Sequence, residues 1–256
     1  MHPLFHRMNL DTLCLLENIK RLTAIICLSV ASFQDIKTRE VSDKIWLPII
    51  LVGIAVNAVE KIWTNASILS LYLLSIAITF LIALTLAYFG LMGGADAKAY
   101  ICLSILETPS APANIGKMFP GISIFMNSII LSIFAMIIIA INNTILLFKS
   151  KLFYPKNISI LKKIILFLSA TIVDLKEAKK HPHKYFILSS TQNTIKIKTN
   201  IHNIDKCTEI IDILEKKGVE KVWVSPTLPF ILFILIGYML YLFIGNIIIY
   251  VFEIIF

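Results

Sequence analysis

Charged residues are scarce in this chain of 256 residues. Asp, Glu, Lys and Arg make up 16% of the sequence, hydrophobic residues make up 57%, and the mean hydropathy is +0.83. Soluble globular domains typically carry about 25% charged residues, so this composition excludes that class. The apolar stretches recur along the whole chain, which also excludes a cleaved signal peptide as their source. The sequence predicts a membrane protein.

Cysteine is scarce too, and its spacing excludes several kinds of site. No two of the four cysteines have the C-x-x-C spacing of a zinc or redox site, so we interpret them as small apolar side chains. His181 and His183 have no third ligand near them in the sequence, which is too little for a metal site. We predict no metal and no cofactor. The cysteines are Cys14, Cys27, Cys102 and Cys207.

The net positive charge comes from one segment. Residues 149–222 hold fifteen lysines and seven acidic residues, so this segment alone carries the formal net charge of +8. No motif that reads nucleic-acid bases accompanies it. A basic segment beside membrane spans is typical of a cytoplasmic domain that faces anionic lipid. We therefore predict membrane lipid as a partner and no nucleic acid.

The apolar runs predict an all-α membrane protein with about six transmembrane helices and a small cytoplasmic domain before the last helix. We predict a membrane domain over 1–148 with five spans, a basic cytoplasmic domain over 149–222 and a last transmembrane helix within 223–256. Apolar spacing predicts an amphipathic helix over 204–218. Ser225 and Pro226 are suited to cap and open the last helix. The other predicted spans cover about 19–34, 45–59, 66–89, 96–107 and 121–148.

Lysine and arginine are distributed unevenly between the two sides of the predicted membrane. Nineteen fall on the side that holds residues 35–44, 90–98 and 149–222, and five fall on the other side. The positive-inside rule places the first side in the cytoplasm. Asp35 and Asp96 then both lie at the cytoplasmic ends of spans.

Two aspartates at similar depth in a membrane protein suggest chemistry. An aspartate at the centre of a membrane helix costs about 2.5 to 3.5 kcal/mol, so its presence needs a reason. Asp96 also follows a glycine-rich break that runs from Gly90 to Gly94. Two neighbouring carboxylates tend to share one proton, which is the working state of an aspartyl protease. Taken alone, Asp35 fits a solvated helix end better than a catalytic site.

The residues around both aspartates resemble one family. Gly93-Gly94-Ala95-Asp96 looks like the Gly-x-Gly-Asp motif of intramembrane aspartyl proteases, and Lys98 agrees with the Asp-x-Lys extension of that motif. The segment Asp35-x-x-x-Arg39-x-Val41-x-Asp43 resembles the first aspartate motif of prepilin peptidases. Residues 222–229 are similar to the segment that opens the last span in the archaeal preflagellin peptidase branch.

The resemblance implies a multi-pass enzyme of the cell membrane that removes short basic leaders from preflagellin precursors, with Asp35 and Asp96 as the catalytic pair at the cytoplasmic face. Arg39, Glu40 and Asp43 are candidates for contact with the leader. A solvated, charge-balanced turn is the alternative for these residues.

The motif around the second aspartate leaves two questions open. Ala95 stands where the motif has its second glycine, and a requirement for positive φ at that position would impair activity. Lys98 would lower the pKa of Asp96, contact lipid phosphate or snorkel to the interface. No paired C-x-x-C domain is present, so no methyltransferase activity is expected.

Three other functions compete with this interpretation. A type IV prepilin peptidase acts on leaders of the same kind. A proton-coupled transporter would use the aspartates to bind an ion near broken helices, although the chain shows no internal repeat. A non-catalytic scaffold for pilus or flagellum assembly is the third.

Overall fold

The computed structural model describes residues 10–63, 69–109, 115–149, 154, 158–180, 184–191, 194–195 and 204–255. The chain forms two compact units. The first contains Met1–Leu131 and Pro229–Phe256, and the second contains Ser132–Leu228.

Helices make up the first unit. Helix α5 begins in this unit and continues into the second, and short 3-10 turns cover Asp43–Ile45 and Ile115–Lys117. The helices are α1 (Leu10–Thr38), α2 (Trp46–Trp63), α3 (Leu69–Tyr88), α4 (Gly94–Leu106) and α5 (Pro120–Phe148). The first unit also contains the last two helices, α9 (Phe230–Ile244) and α10 (Ile247–Ile255). The second unit contains the helices α6 (Ile160–Ser169), α7 (Leu175–Lys180) and α8 (Ile204–Lys216).

Three helical segments of the described chain are long and apolar enough to cross a membrane: α3, α5 and Phe230–Ile255. Together with the composition, they make this a membrane protein. Helix α4 has 13 residues and is about 20 Å long, which is short of a hydrocarbon core of about 30 Å. Helix α1 carries the charged residues Glu17, Lys20 and Arg21 in its first half. Six spans therefore stay a prediction.

Helix α4 lies at the centre of the first unit. It packs against α2, α3 and α9, and its side chains Tyr100, Leu103 and Leu106 are buried. A Cβ atom on Gly53 of α2 would lie 2.9 Å from the Cα atom of Leu106, so a glycine is needed for this close approach between helices. These contacts of α4 with its neighbouring helices determine the position of its first turn.

Buried hydrogen bonds hold the far end of α4. The side-chain amide of Asn57 donates to the carbonyl oxygens of Ile105, at 2.7 Å, and Leu106, at 3.1 Å. The hydroxyl of Tyr238 in α9 donates to Glu107 Oε1 at 2.7 Å. These bonds satisfy polar groups that would otherwise be costly to bury, and they link α4 to both α2 and α9.

The second unit contains β-strands, so the all-α prediction is wrong in this part. Strand β5 lies between β1 and β2 in an antiparallel sheet, and β3 pairs with β4. On one face of β5, Val222 and Val224 pack against α7 and α8. On the other face, Trp223 packs against Leu166 and Ala170. The strands are β1 (Thr171–Asp174), β2 (Tyr185–Ile187), β3 (Ser189–Thr191), β4 (Thr194–Ile195) and β5 (Lys221–Pro226).

The amphipathic helix predicted over 204–218 is confirmed as α8. Gly218 follows its last turn with φ +67°, a conformation in which glycine commonly ends helices. The predicted capping of the last helix by Ser225 and Pro226 is wrong. Both residues belong to β5, where the Ser225 hydroxyl donates to the Ser169 carbonyl at 2.9 Å. The last helix begins at Phe230, after Pro229.

Candidate functional site

Asp96 lies in the first turn of α4, where the backbone amides have no helical partner. Gly93 is the N-cap residue, and its N–H donates a hydrogen bond to the Asp96 carboxylate. This contact resembles one half of a capping box, in which an acidic side chain three residues into the helix reaches back to the N-cap amide. A Cβ atom on Gly93 would lie 2.8 Å from Asp96 Oδ2. The glycine therefore leaves the space that the carboxylate occupies.

Asp35 lies in the last turn of α1 and faces the start of α9. The N–H of Ile231, in the first turn of α9, donates to Asp35 Oδ2 at 3.4 Å. Arg39 Nη1 lies 3.7 Å from Asp35 Oδ1. A helix N-terminus and a guanidinium both favour a negative charge on this carboxylate.

Arg39 ends helix α1 in an unusual backbone conformation. Its φ is +61°, and among the described residues it is the one non-glycine residue with positive φ. Its N–H donates to the Asp35 carbonyl at 3.2 Å, as expected of a residue that terminates a helix. A glycine would adopt this conformation without strain. The chain has an arginine at this position, and the Arg39 side chain is 17% exposed and directed toward Asp35.

The two aspartates interact electrostatically, and both lie outside the three membrane-spanning segments named above. Burial and the neighbouring charge of Asp35 raise the pKa of Asp96 to about 7, against the opposing effect of the Gly93 hydrogen bond. Burial also raises the pKa of Asp35, and there the Arg39 charge and the Ile231 N–H oppose the rise. The environments therefore hold a proton on Asp96 more firmly than on Asp35.

Lys98 forms an ion pair that was not among its three predicted roles. Its Nζ lies 2.6 Å from Asp43 Oδ1, and both side chains are at least half exposed. The pair links the chain after α1 to the first turns of α4. Asp43 therefore already has a cation beside it, and its contact with a leader stays a prediction. Glu40 is exposed to solvent near the end of α1.

The remaining motif residues need no special conformation. Gly94 and Ala95 both belong to α4, and a Cβ atom on Gly94 would meet no heavy atom within 4 Å. Ala95 is not among the described residues with positive φ. The departure from the motif at Ala95 therefore introduces no backbone strain.

Sequence reasoning did not identify Ile231 as part of the site. Its contribution is a backbone N–H, which every residue except proline carries. The available signal was Pro229, which precedes an uninterrupted apolar run, but the sequence does not show that this helix start faces Asp35.

Metal-ligating residues do not cluster in the described part of the chain. No group of three or more His, Cys, Asp or Glu side chains is placed to hold an ion there. His181 and His183 lie outside the described residues.

Comparisons with known proteins point to one peptidase family. The type IV leader peptidase family matches residues 22–141, which contain both aspartates, and the archaeal peptidase A24 C-terminus type II matches residues 162–247. A preflagellin peptidase of Methanococcus voltae is 25% identical over 233 residues, covering 87% of this chain and 93% of its own length.

Two proteins of Methanocaldococcus jannaschii are also similar over most of their length. Its preflagellin peptidase is 25% identical over 247 residues, covering 91% of this chain and 97% of its own length. An uncharacterised protein of the same organism is 28% identical over 258 residues, covering 86% of this chain and 91% of its own length. Two models of one peptidase family match this chain, and the relatives align with it over most of its length. The chain belongs to the type IV leader peptidase family.

Proposed function

We propose that this protein is an aspartyl endopeptidase that removes the basic leader from preflagellin precursors at the cytoplasmic membrane face, with Asp35 and Asp96 as its catalytic pair. One observation carries the proposal. Two carboxylates from separate helices lie close enough for the charge of Asp35 to raise the pKa of Asp96, within a member of a leader peptidase family.

The surroundings of the two carboxylates suggest different roles. Asp35, beside Arg39 and the Ile231 N–H, is the ionised member and acts as the general base. Asp96, whose pKa is about 7, is the protonated member and acts as the general acid. Environments that separate two pKa values are how a carboxylate pair divides acid and base work.

The reaction follows from these roles. Asp35 takes a proton from water as the water oxygen bonds to the scissile carbonyl carbon, and Asp96 gives its proton to the carbonyl oxygen. The tetrahedral intermediate then returns its hydroxyl proton to Asp96, the C–N bond breaks, and Asp35 delivers the other proton to the leaving nitrogen. Both carboxylates end in the states in which they began, so no metal or cofactor is required.

Arg39 positions Asp35 in this scheme. It occupies a backbone conformation that favours glycine, and such strain often persists at functional sites. Its guanidinium faces the carboxylate of its own helix, which makes it a counter-ion of Asp35. We propose this role in place of the predicted contact with the leader.

The substrate and the membrane side rest on further arguments. Two relatives are preflagellin peptidases, which favours preflagellin over type IV prepilin as the precursor. The lysines of 149–222 favour a cytoplasmic location for the side of the membrane that holds Asp35 and Asp96. Glu40 is an exposed acid five residues after Asp35, which supports a contact between its carboxylate and a basic leader.

The direct test is cleavage of a purified preflagellin by the full-length protein in detergent. Asp35→Asn and Asp96→Asn should each reduce the cleavage rate by about a hundredfold to ten-thousandfold, since each removes an acid–base group. Asp174→Asn is the matched control, because Asp174 is an exposed aspartate at the end of β1 in the second unit. This control should cleave at the wild-type rate.

Two outcomes would contradict the proposal. Undiminished cleavage by either folded aspartate variant would exclude the catalytic pair. If the folded wild-type protein cuts a type IV prepilin and does not cut preflagellin, prepilin replaces preflagellin as the proposed substrate. If neither precursor is cut, the transporter and scaffold interpretations become the better ones.

A further inference from the structure

Helix α6 of the second unit has a broad apolar face that is largely exposed. Five of its ten residues are large hydrophobic side chains that are 39% to 77% exposed. At 100° per residue they cover an arc of about 140° on one side of the helix. They are Ile160, Leu161, Ile164, Ile165 and Leu168.

The opposite side of α6 is the one that packs on its own domain. Leu166 is 1% exposed and lies with Ala170 and Trp223 in a buried cluster. The apolar face therefore points away from the sheet. Soluble helices carry polar residues on the side that points away from the core, so this face needs another apolar surrounding.

Hydrogen bonds attach the C-terminal end of α6 to helix α5. The side-chain amide of Asn143 donates to the carbonyl oxygens of Phe167, at 2.8 Å, and Ala170, at 2.6 Å. The amide of Asn142 donates to the hydroxyl of Thr171 at 3.1 Å. The end of α6 is thus held at one level along a membrane-spanning helix.

Counted along α5, this level falls at the expected boundary of the hydrocarbon core. Helix α5 has 29 residues, whereas about 20 residues cross the core. A span counted from Pro120 leaves the core near Ala140, just before Asn142 and Asn143. Exposed apolar side chains continue on α5 through Phe148, so the apolar face of α6 lies beside a lipid-facing surface.

The charges around α6 match a lipid headgroup region. Lys162 and Lys163 of α6 are exposed, and so is Lys149 directly after α5. Amphipathic helices with lysines beside an apolar face lie in the membrane interface, where the lysines contact anionic phosphates. A second copy of this chain would also cover the apolar residues, but it would place those lysines against identical lysines or leave them without anionic partners.

We propose that α6 is an interfacial helix, which inserts Ile160, Leu161, Ile164, Ile165 and Leu168 at the acyl boundary of the cytoplasmic leaflet and holds its domain against the bilayer. This lipid-binding surface is separate from the peptidase chemistry, and it stands whether or not the protein cuts preflagellin.

Site-directed spin labelling of the full-length protein tests the depth of this helix. The protein is reconstituted in vesicles of phosphatidylcholine and phosphatidylglycerol, with its native cysteines replaced by alanine and a label at Ile164→Cys or Leu161→Cys. Lys176→Cys is the matched control, because Lys176 is an exposed residue of α7 in the same unit. Labels on α6 should be readily reached by oxygen and several-fold less accessible than the control to a water-soluble nickel chelate.

Other accessibilities would overturn the proposal. Equal access of the nickel chelate to labels on α6 and on α7 would place the apolar face in water. Low access of both reagents at Ile164 would mean that protein covers the face, and spin–spin broadening between labels would identify a second copy.

A paired substitution tests whether the apolar face causes the insertion. Ile164→Glu should raise the access of the nickel chelate to a label at Leu161→Cys, because a carboxylate disfavours the acyl boundary. Lys176→Glu should leave that label unchanged. Identical access in both variants would contradict the proposal.

Discussion

The carboxylate of Asp96 occupies the space that a side chain on Gly93 would need. A Cβ atom at position 93 would approach Asp96 Oδ2 to 2.8 Å, whereas one at position 94 would meet nothing within 4 Å. Neither glycine has a positive φ. The demand for glycine at position 93 is therefore steric, and it comes from the aspartate itself.

Gly93→Ala should impair cleavage, and Gly94→Ala should not. Asp96 has a short, movable side chain, so the alanine at 93 displaces the carboxylate with little loss of stability. A displacement of about 1 Å of a catalytic group costs about a hundredfold in rate. Gly94→Ala should retain the rate within about twofold, since alanine suits a helix. Cleavage rates and thermal unfolding of both variants measure this, and equal rates would show that Gly93 does not position Asp96.

The cleavage rate should have a bell-shaped dependence on pH. The active form has Asp35 ionised and Asp96 protonated, so activity falls at low pH as Asp35 gains a proton. It falls again at high pH as Asp96, with a pKa of about 7, loses its proton. The descending limb of kcat/KM should therefore lie near pH 7 and the ascending limb above 3.8, the ordinary pKa of an aspartate. A rate that stays level from neutral to alkaline pH would contradict the assignment of the acid.

The sequence predicted much of the helical architecture but not the sheet. The apolar runs of α3 and α5 and the spacing in α8 are local signals, and each gave a helix near its predicted position. Strand β5 is buried on both faces, so it lacks the alternation of polar and apolar residues that indicates a half-exposed strand. Its neighbours β1 and β2 are distant in sequence, and only tertiary pairing stabilises all three.

The candidate site was predictable as a set of motifs and not as a geometry. Asp35 and Asp96 lie 61 positions apart, and helical periodicity carries no information about packing across that distance. The proximity of α9 to Asp35 and the pairing of Lys98 with Asp43 likewise arise from tertiary contacts. The positive φ of Arg39 was unexpected because nothing local to its sequence requires it.

We expect the ion pair between Lys98 and Asp43 to support cleavage because the two charges are opposite. Lys98→Glu and Asp43→Lys should each lower the cleavage rate by up to about fivefold, because an exposed ion pair contributes about 1 kcal/mol or less. The double variant restores opposite charges and should recover the rate. Asp174→Lys is the matched control, since Asp174 is an exposed acid at the end of β1 in the second unit, and Glu40→Lys tests the leader contact separately. Equal losses at 40 and 43 without recovery in the double variant would instead support a leader contact for both acids.

Substitution of Arg39 should move the acidic limb of the pH profile. The Arg39 charge opposes the rise in the pKa of Asp35, so Arg39→Gln should raise that pKa further and shift the ascending limb toward neutral pH. Arg39→Lys keeps the charge and should keep the limb near its wild-type position. Both variants retain a side chain at the positive φ, so backbone strain is the same in each.

The limb position separates an electrostatic role of Arg39 from a structural one. The other groups that face Asp35, namely Asp96 from α4 and the Ile231 N–H from α9, are unchanged in both variants, as is the exposed pair of Lys98 and Asp43. A merely structural role would lower kcat in both variants and leave the limb in place. If the limb shifts in Arg39→Gln and stays in place in Arg39→Lys, the positive charge beside Asp35 is what sets the limb. An unshifted limb in an active Arg39→Gln enzyme would refute the assignment of Asp35 as the arginine-stabilised base.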